Sequence, residues 1–145
     1  MSYFENHGYE VRGVEGNIAA LDEAVISPTN IVIHDLRTSY EPERKYDLAT
    51  AIEVVEHIPS KFVPTLIRTF VRSANHVVLT AAQPGQGGRH HVNEQEPQYW
   101  AEHFEAVGWT REGIKESQLR RSFDDDIPQF YADNLLVFSD ADDRL

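Results

Sequence analysis

The chain has 145 residues, 41% of them hydrophobic, so it is long enough for one domain with a real core and too short for two ordinary ones. Its formal charge of −11 argues against non-specific binding to nucleic acid, because phosphate contacts need a concentrated basic surface. It has no cysteine, so histidine and carboxylate groups must carry any acid-base or metal chemistry.

Nothing in the sequence indicates a membrane segment. No apolar run approaches the roughly 20 residues that span a bilayer. The first ten residues, MSYFENHGYE, lack the basic region and the apolar stretch of a signal peptide. We therefore predict a cytoplasmic protein without membrane association, folded as one domain over residues 1–145, of which residues 140–145 form a frayed tail.

Short runs of β-branched residues alternate along the chain with amphipathic segments, a pattern typical of βαβ units and a mostly parallel sheet. In chain order, strands are predicted at residues 9–15, 31–34, 46–52, 76–80, 109–114 and 129–139, the last two as antiparallel neighbours. Helices are predicted from an Asn17 cap to residue 24, from a Ser60 cap through the apolar series Val63, Leu66, Ile67, Phe70 and Val71, and from Pro97 to a stop at Gly108. The pattern predicts an α/β fold.

The richest cluster of reactive side chains follows the third predicted strand. Glu53, Glu56 and His57 come directly after this apolar run, and His90 and His91 lie in the loop that follows the next strand. That loop is too rich in glycine for regular structure. Because α/β sheets bind ligands beside the carboxyl ends of their strands, we expect these groups on the ligand-binding side of the sheet.

Four short motifs, in this order and spacing, make residues 3–139 resemble the class I S-adenosylmethionine-dependent methyltransferases. They are GVEGN at residues 13–17, IHDL at 33–36, DLATAIEVVEHIP at 47–59 and TAAQPGQGGRHHVN at 80–93. The resemblance implies a Rossmann-like, mostly parallel sheet with helices on both faces, and S-adenosylmethionine as the cofactor. It also implies transfer of a methyl group to an oxygen or nitrogen of a small molecule, a sugar or a polymer end.

The resemblance assigns cofactor-binding roles to three acids at strand ends. Glu15 takes the place of the acid that holds the ribose hydroxyls of the cofactor, and one carboxylate can accept hydrogen bonds from two vicinal hydroxyls. Asp35 takes the place of the acid near the adenine. Glu53, after the following strand, is the third residue expected at the cofactor site.

One part of the family pattern is missing. The resemblance implies a central first strand ending in an acidic, glycine-rich turn, and Gly8, Gly13 and Gly16 do not reproduce its spacing. Residues 3–8 look like the last turn of the helix that follows this strand. Without it, we expect two part-sheets with unpaired edges facing a gap. A partner chain or a second copy could fill the gap, a neighbouring strand could move inward, or the polypeptide could be shorter than the working protein.

Methyl transfer from a sulfonium is an in-line displacement, and a base is needed only when the acceptor must lose a proton. His57 and His91 are the candidate catalytic bases because both follow strand ends. The alternative for each is a histidine that only hydrogen-bonds a loop carbonyl.

The pattern Glu53-x-x-Glu56-His57, together with His90 or His91, also offers ligands to a metal ion. Small-RNA ribose methyltransferases show a similar arrangement and use it to hold a divalent cation that orients acceptor hydroxyls. Carboxylates and imidazoles suit a divalent ion such as Mg²⁺, so the metal candidates are Glu53, Glu56, His57 and His91. In the alternative, Glu53 faces a backbone amide and no metal binds.

Two functions stay open. The chain is either a methyltransferase, completed by a further segment or a partner, or a methyltransferase-derived binding or structural module that has lost cofactor binding. The retained acids and Glu56-His57 favour the first, and the absent glycine loop favours the second. We expect the isolated chain to be inactive, and we expect Arg120-Arg121 to be a solvated pair rather than a contact to an anionic acceptor.

Overall fold

The computed structural model describes residues 1–141 and contains two separate β-sheets. Its strands are β1 (Gly13–Glu15), β2 (Ile31–Ile33), β3 (Tyr46–Ala51), β4 (Ala74–Thr80), β5 (Trp109–Arg111) and β6 (Leu135–Asp140). Its α-helices are α1 (Ser2–Asn6), α2 (Val63–Ser73), α3 (Pro97–Glu105), α4 (Gly113–Ser122) and α5 (Gln129–Asn134). Short 3₁₀ helices lie at Ile18–Glu23, Pro28–Asn30, Val55–His57 and Ser60–Phe62. Across the described residues, no helix is long and apolar enough to cross a bilayer.

The strand pairings combine parallel and antiparallel geometry. In the smaller sheet β1 and β2 are parallel, with Gly13 opposite Ile31 and Glu15 opposite Ile33. The larger sheet has the order β3-β4-β6-β5, in which β3 and β4 are parallel and β6 runs antiparallel to both β4 and β5. The predicted α/β fold is confirmed, and so is the antiparallel pairing of the last two strands.

Strands β1 and β3 each have one unpaired edge. Within residues 1–141, β1 pairs only with β2, and β3 pairs only with β4. Two apolar side chains in this part of the chain are partly exposed, Leu48 at 43% and Ile52, just beyond the strand, at 44%. The structure thus shows the two part-sheets that the sequence predicted, and β1 and β3 have not paired with each other.

The main core lies between one face of the larger sheet and helices α2 and α3. The buried residues of α2 recur at helical spacing and include Val63, Leu66, Ile67 and Phe70. From α3, Trp100 and Phe104 are completely buried, and the Phe104 ring stacks on Phe138 of β6 with 3.9 Å between ring centroids. The apolar series read from the sequence therefore forms the helix faces on the sheet.

Helix α4 packs against β6. Residues 135–139 are all buried, and because successive side chains of a strand point to opposite faces, both faces of β6 are covered. Glu116 of α4 is buried and accepts hydrogen bonds of 2.8 and 2.9 Å from Arg111 and one of 3.1 Å from the backbone N–H of Val137. These bonds fasten α4 to β5 and β6.

The boundaries of the first elements differ from the sequence prediction. β1 begins at Gly13 instead of residue 9. Asn17 is the predicted cap, and its side chain accepts a hydrogen bond of 3.0 Å from the N–H of Ala19, but the helix that follows is 3₁₀. Ser60 lies in a 3₁₀ turn, and α2 begins three residues later, with Pro64 in its first turn where a missing N–H is tolerated.

The ranges predicted for the last two strands, residues 109–114 and 129–139, are each too long. The first ends at Arg111 and is followed by α4. In the second range, residues 129–134 form α5, in which the Gln129 side chain donates to the Asp133 carboxylate at 2.9 Å. Strand β6 begins only at Leu135. Local hydrogen bonds of a helical turn here override the strand preference of Phe and Tyr.

The prediction of a frayed tail over residues 140–145 is wrong for its first residue. Asp140 is the last residue of β6, where it lies opposite Trp109, and its carboxylate is 3.9 Å from Nζ of Lys45. Residues 142–145 lie outside the described residues.

Replacing Phe104 by alanine removes the aromatic centre of the core. We expect the Phe104→Ala variant to lose roughly 3–5 kcal/mol of unfolding free energy, because the lost burial and the residual cavity add. Urea denaturation followed by circular dichroism measures this loss. Phe130→Ala, at a ring that is 38% exposed, is the matched control and should change the unfolding free energy by about 1 kcal/mol or less. Equal losses in both variants would contradict this placement of the core.

Candidate functional site

Glu53 follows β3 in a left-handed backbone conformation with φ of 56°. For a residue other than glycine this conformation costs about 1–3 kcal/mol and persists only when its surroundings hold it. Thr80, the last residue of β4, supplies that hold, since its hydroxyl accepts from the Glu53 N–H at 2.8 Å and donates to the Glu53 Oε1 at 2.8 Å. The partner of the Glu53 carboxylate is thus a hydroxyl group, and not the backbone amide considered above.

Glu56 is completely buried in the 3₁₀ turn Val55–His57. No other described residue donates a hydrogen bond to either of its carboxylate oxygens. Burial raises the pKa of Glu56, and the charge of Glu53 acts in the same direction, whereas the backbone N–H of Glu56 itself and the nearby imidazoles of His57 and His91 act against it. A buried carboxylate that no other residue hydrogen-bonds is destabilised as an anion unless a cation or a protonated group faces it.

The structure brings Glu56, His57 and His91 together. One ligand atom of each residue lies within 4.8 Å of those of the other two, and the two imidazole rings are 5.0 Å apart between centroids. The carbonyl oxygen of Glu56 accepts hydrogen bonds from the N–H groups of Val92 and Asn93 at 3.0 and 3.1 Å, which fastens the loop after β4 to the turn after β3. Glu53 is not part of this cluster.

Both clustered imidazoles have their Nδ1 atom occupied. Nδ1 of His57 lies 3.2 Å from the carbonyl oxygen of His90, and Nδ1 of His91 lies 3.0 Å from Oε1 of Glu94. A carbonyl or carboxylate oxygen only accepts, so each Nδ1 carries a hydrogen, and in the neutral form of each ring Nε2 has the lone pair. His57 therefore makes the loop-carbonyl bond of the alternative interpretation and still presents a basic nitrogen.

The remaining residues of the loop fit around these contacts. His90 is exposed with φ of 65°, and its Nε2 accepts from Nε of Arg89 at 3.2 Å, so His91, and not His90, joins the cluster. At Gly88 a Cβ atom would lie 2.4 Å from Cε1 and Nε2 of His91. Glycine at this position is required for the observed position of the ring.

The other two predicted cofactor acids lie on the smaller sheet. Glu15 ends β1, and its Oε1 accepts from the N–H of Asn17 at 2.8 Å. Asp35 follows β2 and forms a two-pronged pair with Arg37 at 2.6 to 2.9 Å, and these hydrogen bonds lower the pKa of Asp35 to about 2. The backbone N–H of His34 donates to the carbonyl of Glu15, so both acids lie at the same end of this sheet.

Two contributors to the site were missed from the sequence. Thr80 was read only as the end of a strand, and Glu94 was not singled out, although a carboxylate three residues after His91 is a common imidazole partner. The prediction that Arg120 and Arg121 form a solvated pair is wrong for Arg120, which donates to the carbonyl of Leu135 at 2.7 Å and has a structural role. Both arginines border a surface cavity of about 440 Å³.

No protein-family model matches the chain, and no curated protein matches its sequence. Solved structures with a similar fold include a LepI complex with S-adenosylmethionine, at 13% identity and a TM-score of 0.57 over 94% of this chain and 38% of that one. A DhpI complex with S-adenosylhomocysteine has 16% identity and a TM-score of 0.52 over 94% of this chain and 69% of that one. The methyltransferase domain of the bacterial protein CtHen1-C has 20% identity and a TM-score of 0.56 over 96% of this chain and 82% of that domain.

These structures show the fold. The chain has the Rossmann-like fold of the class I S-adenosylmethionine-dependent methyltransferases. It spans 38% of the length of LepI, so the activity, substrates and partners of such whole proteins do not transfer to it with the fold.

Glu56→Gln tests the buried carboxylate. Because the pKa of Glu56 is raised by folding, the folded chain binds more protons than the unfolded chain, and stability falls as pH rises above about 4.5, the ordinary value. We expect Glu56→Gln, in the presence of a chelator, to raise the unfolding free energy at pH 7 by roughly 1–3 kcal/mol and to flatten this fall. Urea denaturation over a pH series measures both effects. Glu105→Gln, at the exposed end of α3, is the control, and a Glu56→Gln variant no more stable than it would contradict the buried anion.

Proposed function

We propose that the chain is the acceptor-side part of an S-adenosylmethionine-dependent methyltransferase that methylates a hydroxyl oxygen of a small molecule, a sugar or a polymer end. The observation that carries this proposal is the cluster of Glu56, His57 and His91 beyond the ends of the parallel strands β3 and β4. Solved neighbours of the same fold support it, since they include complexes with S-adenosylmethionine and S-adenosylhomocysteine and a methyltransferase domain.

In this proposal the imidazoles prepare the acceptor. The acceptor oxygen forms a bond to the methyl carbon as the bond from that carbon to the sulfonium sulfur breaks, and the neutral thioether S-adenosylhomocysteine leaves. The acceptor hydroxyl must lose its proton in this step, and a positioned base within hydrogen-bond reach contributes to it. Nε2 of His57 or His91 is the base, because Nδ1 of each ring is held in its protonated form by an oxygen acceptor. The loop contacts to the Glu56 carbonyl hold the two rings at a fixed separation, and most of the rate comes from such orientation.

As the alternative to a base, the same three residues fit a divalent cation, because an Nε2 lone pair that binds an ion cannot also take the proton of the acceptor. The carboxylate of Glu56 is buried without a hydrogen-bond donor from any other described residue, and one ring nitrogen each of His57 and His91 lies within 4.8 Å of one of its oxygens. This donor set suits Mg²⁺ or Mn²⁺ with open positions for water or substrate. Such an ion, held by Glu56, His57 and His91, would act as a Lewis acid that lowers the pKa of the acceptor hydroxyl.

The cofactor side of the site is divided between two sheets. Glu15 and Asp35 lie at the end of the smaller sheet, and Glu53 follows β3 of the larger one. In the proposal, Glu15 accepts from the ribose hydroxyls, Asp35 lies near the adenine and Glu53 faces the cofactor between the sheets. A further strand, from a partner chain, from a second copy or from more of the same polypeptide, fills the open edges of β1 and β3 and completes cofactor binding.

The open edges of β1 and β3 also favour a second candidate function. With no strand between them, the chain would serve as a binding or structural module that no longer holds the cofactor. The two candidates differ in whether the weak cofactor binding of this chain depends on Glu15.

Titration with S-adenosylhomocysteine tests the cofactor side. We expect binding by this chain alone to be millimolar or weaker, because the acids that hold the nucleoside lie on separate sheets. NMR chemical-shift titration measures affinities in this range. Glu15→Ala should weaken binding at least tenfold, since a hydrogen bond to a charged group contributes about 1.5–3 kcal/mol. Glu23→Ala, at an exposed acid of the following 3₁₀ helix, is the control. Micromolar binding would contradict the need for a further strand, and indifference to Glu15→Ala would contradict the role of Glu15.

Calorimetric titration with Mn²⁺ tests the metal site. We expect the wild-type chain to bind one ion, and His57→Gln to weaken that binding at least roughly tenfold through loss of a ligand. His76→Gln, in β4 and outside the cluster, should bind as the wild type does. If the wild type binds neither Mn²⁺ nor Mg²⁺, the metal part of the proposal is wrong and the imidazoles act as bases alone.

A further inference from the structure

The two carboxylate oxygens of Glu94 contact two different partners. Oε1 lies 3.0 Å from Nδ1 of His91, and Oε2 accepts from the backbone N–H of Gly85 at 3.0 Å. Both side chains are largely shielded from solvent, with 11% exposure for His91 and 19% for Glu94. The residue therefore connects the glycine-rich turn after β4 to the imidazole that joins Glu56 and His57.

This contact decides which nitrogen of His91 is available. An ionised carboxylate only accepts hydrogen bonds, so Nδ1 of His91 must carry a hydrogen, and Nε2 is the nitrogen with a lone pair. His57 reaches the same tautomer by a different contact, the carbonyl oxygen of His90. Both rings thus carry a hydrogen on Nδ1, although the oxygen that accepts it belongs to a different residue in each case.

We propose that Glu94 is a positioning residue that fixes the tautomer of His91 and links it to the glycine-rich turn. Gly85 and Gly87, at φ of 84° and 71°, give the turn its shape, and Gly88 leaves the space that the His91 ring occupies. Glu94 is the side chain that joins these features to the ring. Its contribution to catalysis or metal binding rests on the function proposed above, but its effect on the tautomer does not.

The tautomer is measured in the metal-free chain. For neutral imidazole rings, ¹⁵N-edited NMR of the ring nitrogens distinguishes Nδ1–H from Nε2–H forms. The His91 signals are assigned by their loss in His91→Gln. We expect wild-type His91 in the Nδ1–H form, and a mixture of both forms in Glu94→Ala and Glu94→Gln, since an amide can either donate or accept. Glu105→Gln is the matched control and should leave His91 unchanged.

His57 serves as an internal reference for folding. Because its Nδ1 partner is a backbone carbonyl, its tautomer should stay the same in both Glu94 variants. An unchanged His91 tautomer in both variants would overturn the proposal. A simultaneous change at His57 would overturn it as well, because Glu94 would then stabilise the whole loop instead of positioning one ring.

Metal affinity gives a second readout. Carboxylates that orient a ligating histidine change metal affinity by roughly 10–100-fold, so Glu94→Gln should weaken Mn²⁺ binding by that factor relative to Glu105→Gln. Absence of Mn²⁺ binding in the wild type would contradict the metal part of the proposed function, and the tautomer measurement would still decide the role of Glu94. A shifted tautomer with unchanged Mn²⁺ affinity would overturn any part of Glu94 in metal binding.

Discussion

Two backbone hydrogen bonds to the carbonyl oxygen of Glu56 hold the candidate site together. Their donors, the N–H groups of Val92 and Asn93, belong to the loop after β4, whereas Glu56 belongs to the turn after β3. Without these bonds the glycine-rich segment before His91 would be held to the turn chiefly by the contact between Nδ1 of His57 and the carbonyl oxygen of His90. The same turn buries the Glu56 carboxylate. One short segment therefore both contains the buried carboxylate and fixes the position of the His91 imidazole beside it.

The candidate acceptor-side residues and the candidate cofactor-binding acids are held by different sheets. The clustered residues extend from adjacent parallel strands, whose carboxyl ends meet at one edge of the larger sheet. The acids at the ends of β1 and β2 belong to a sheet of three-residue strands with partly exposed side chains. No strand pairing among the described residues aligns these acids with Glu53, whereas the cluster is positioned by the pairing of β3 with β4.

Much of this arrangement could be predicted from sequence because it follows from spacing. The helical recurrence from Val63 to Phe70 identifies the covering helix, and the order of the acids identifies the strand ends. Other features depend on three-dimensional contacts that spacing does not encode. The left-handed backbone of Glu53 follows from its double contact with Thr80, and the choice of His91 over His90 follows from the Gly88 contact. The α5 helix was missed because Phe130 and Tyr131 resemble strand residues in isolation.

The unpaired edge of β3 also bears on how the purified chain behaves in solution. A six-residue strand without a neighbour on one side is a template for pairing with any extended chain, including another molecule of the same protein. Asp47 within the strand and the overall charge of −11 oppose such self-pairing by repulsion. Since dissolved ions screen that repulsion, concentrated salt removes the main barrier to aggregation along this edge, and dilute buffer preserves it.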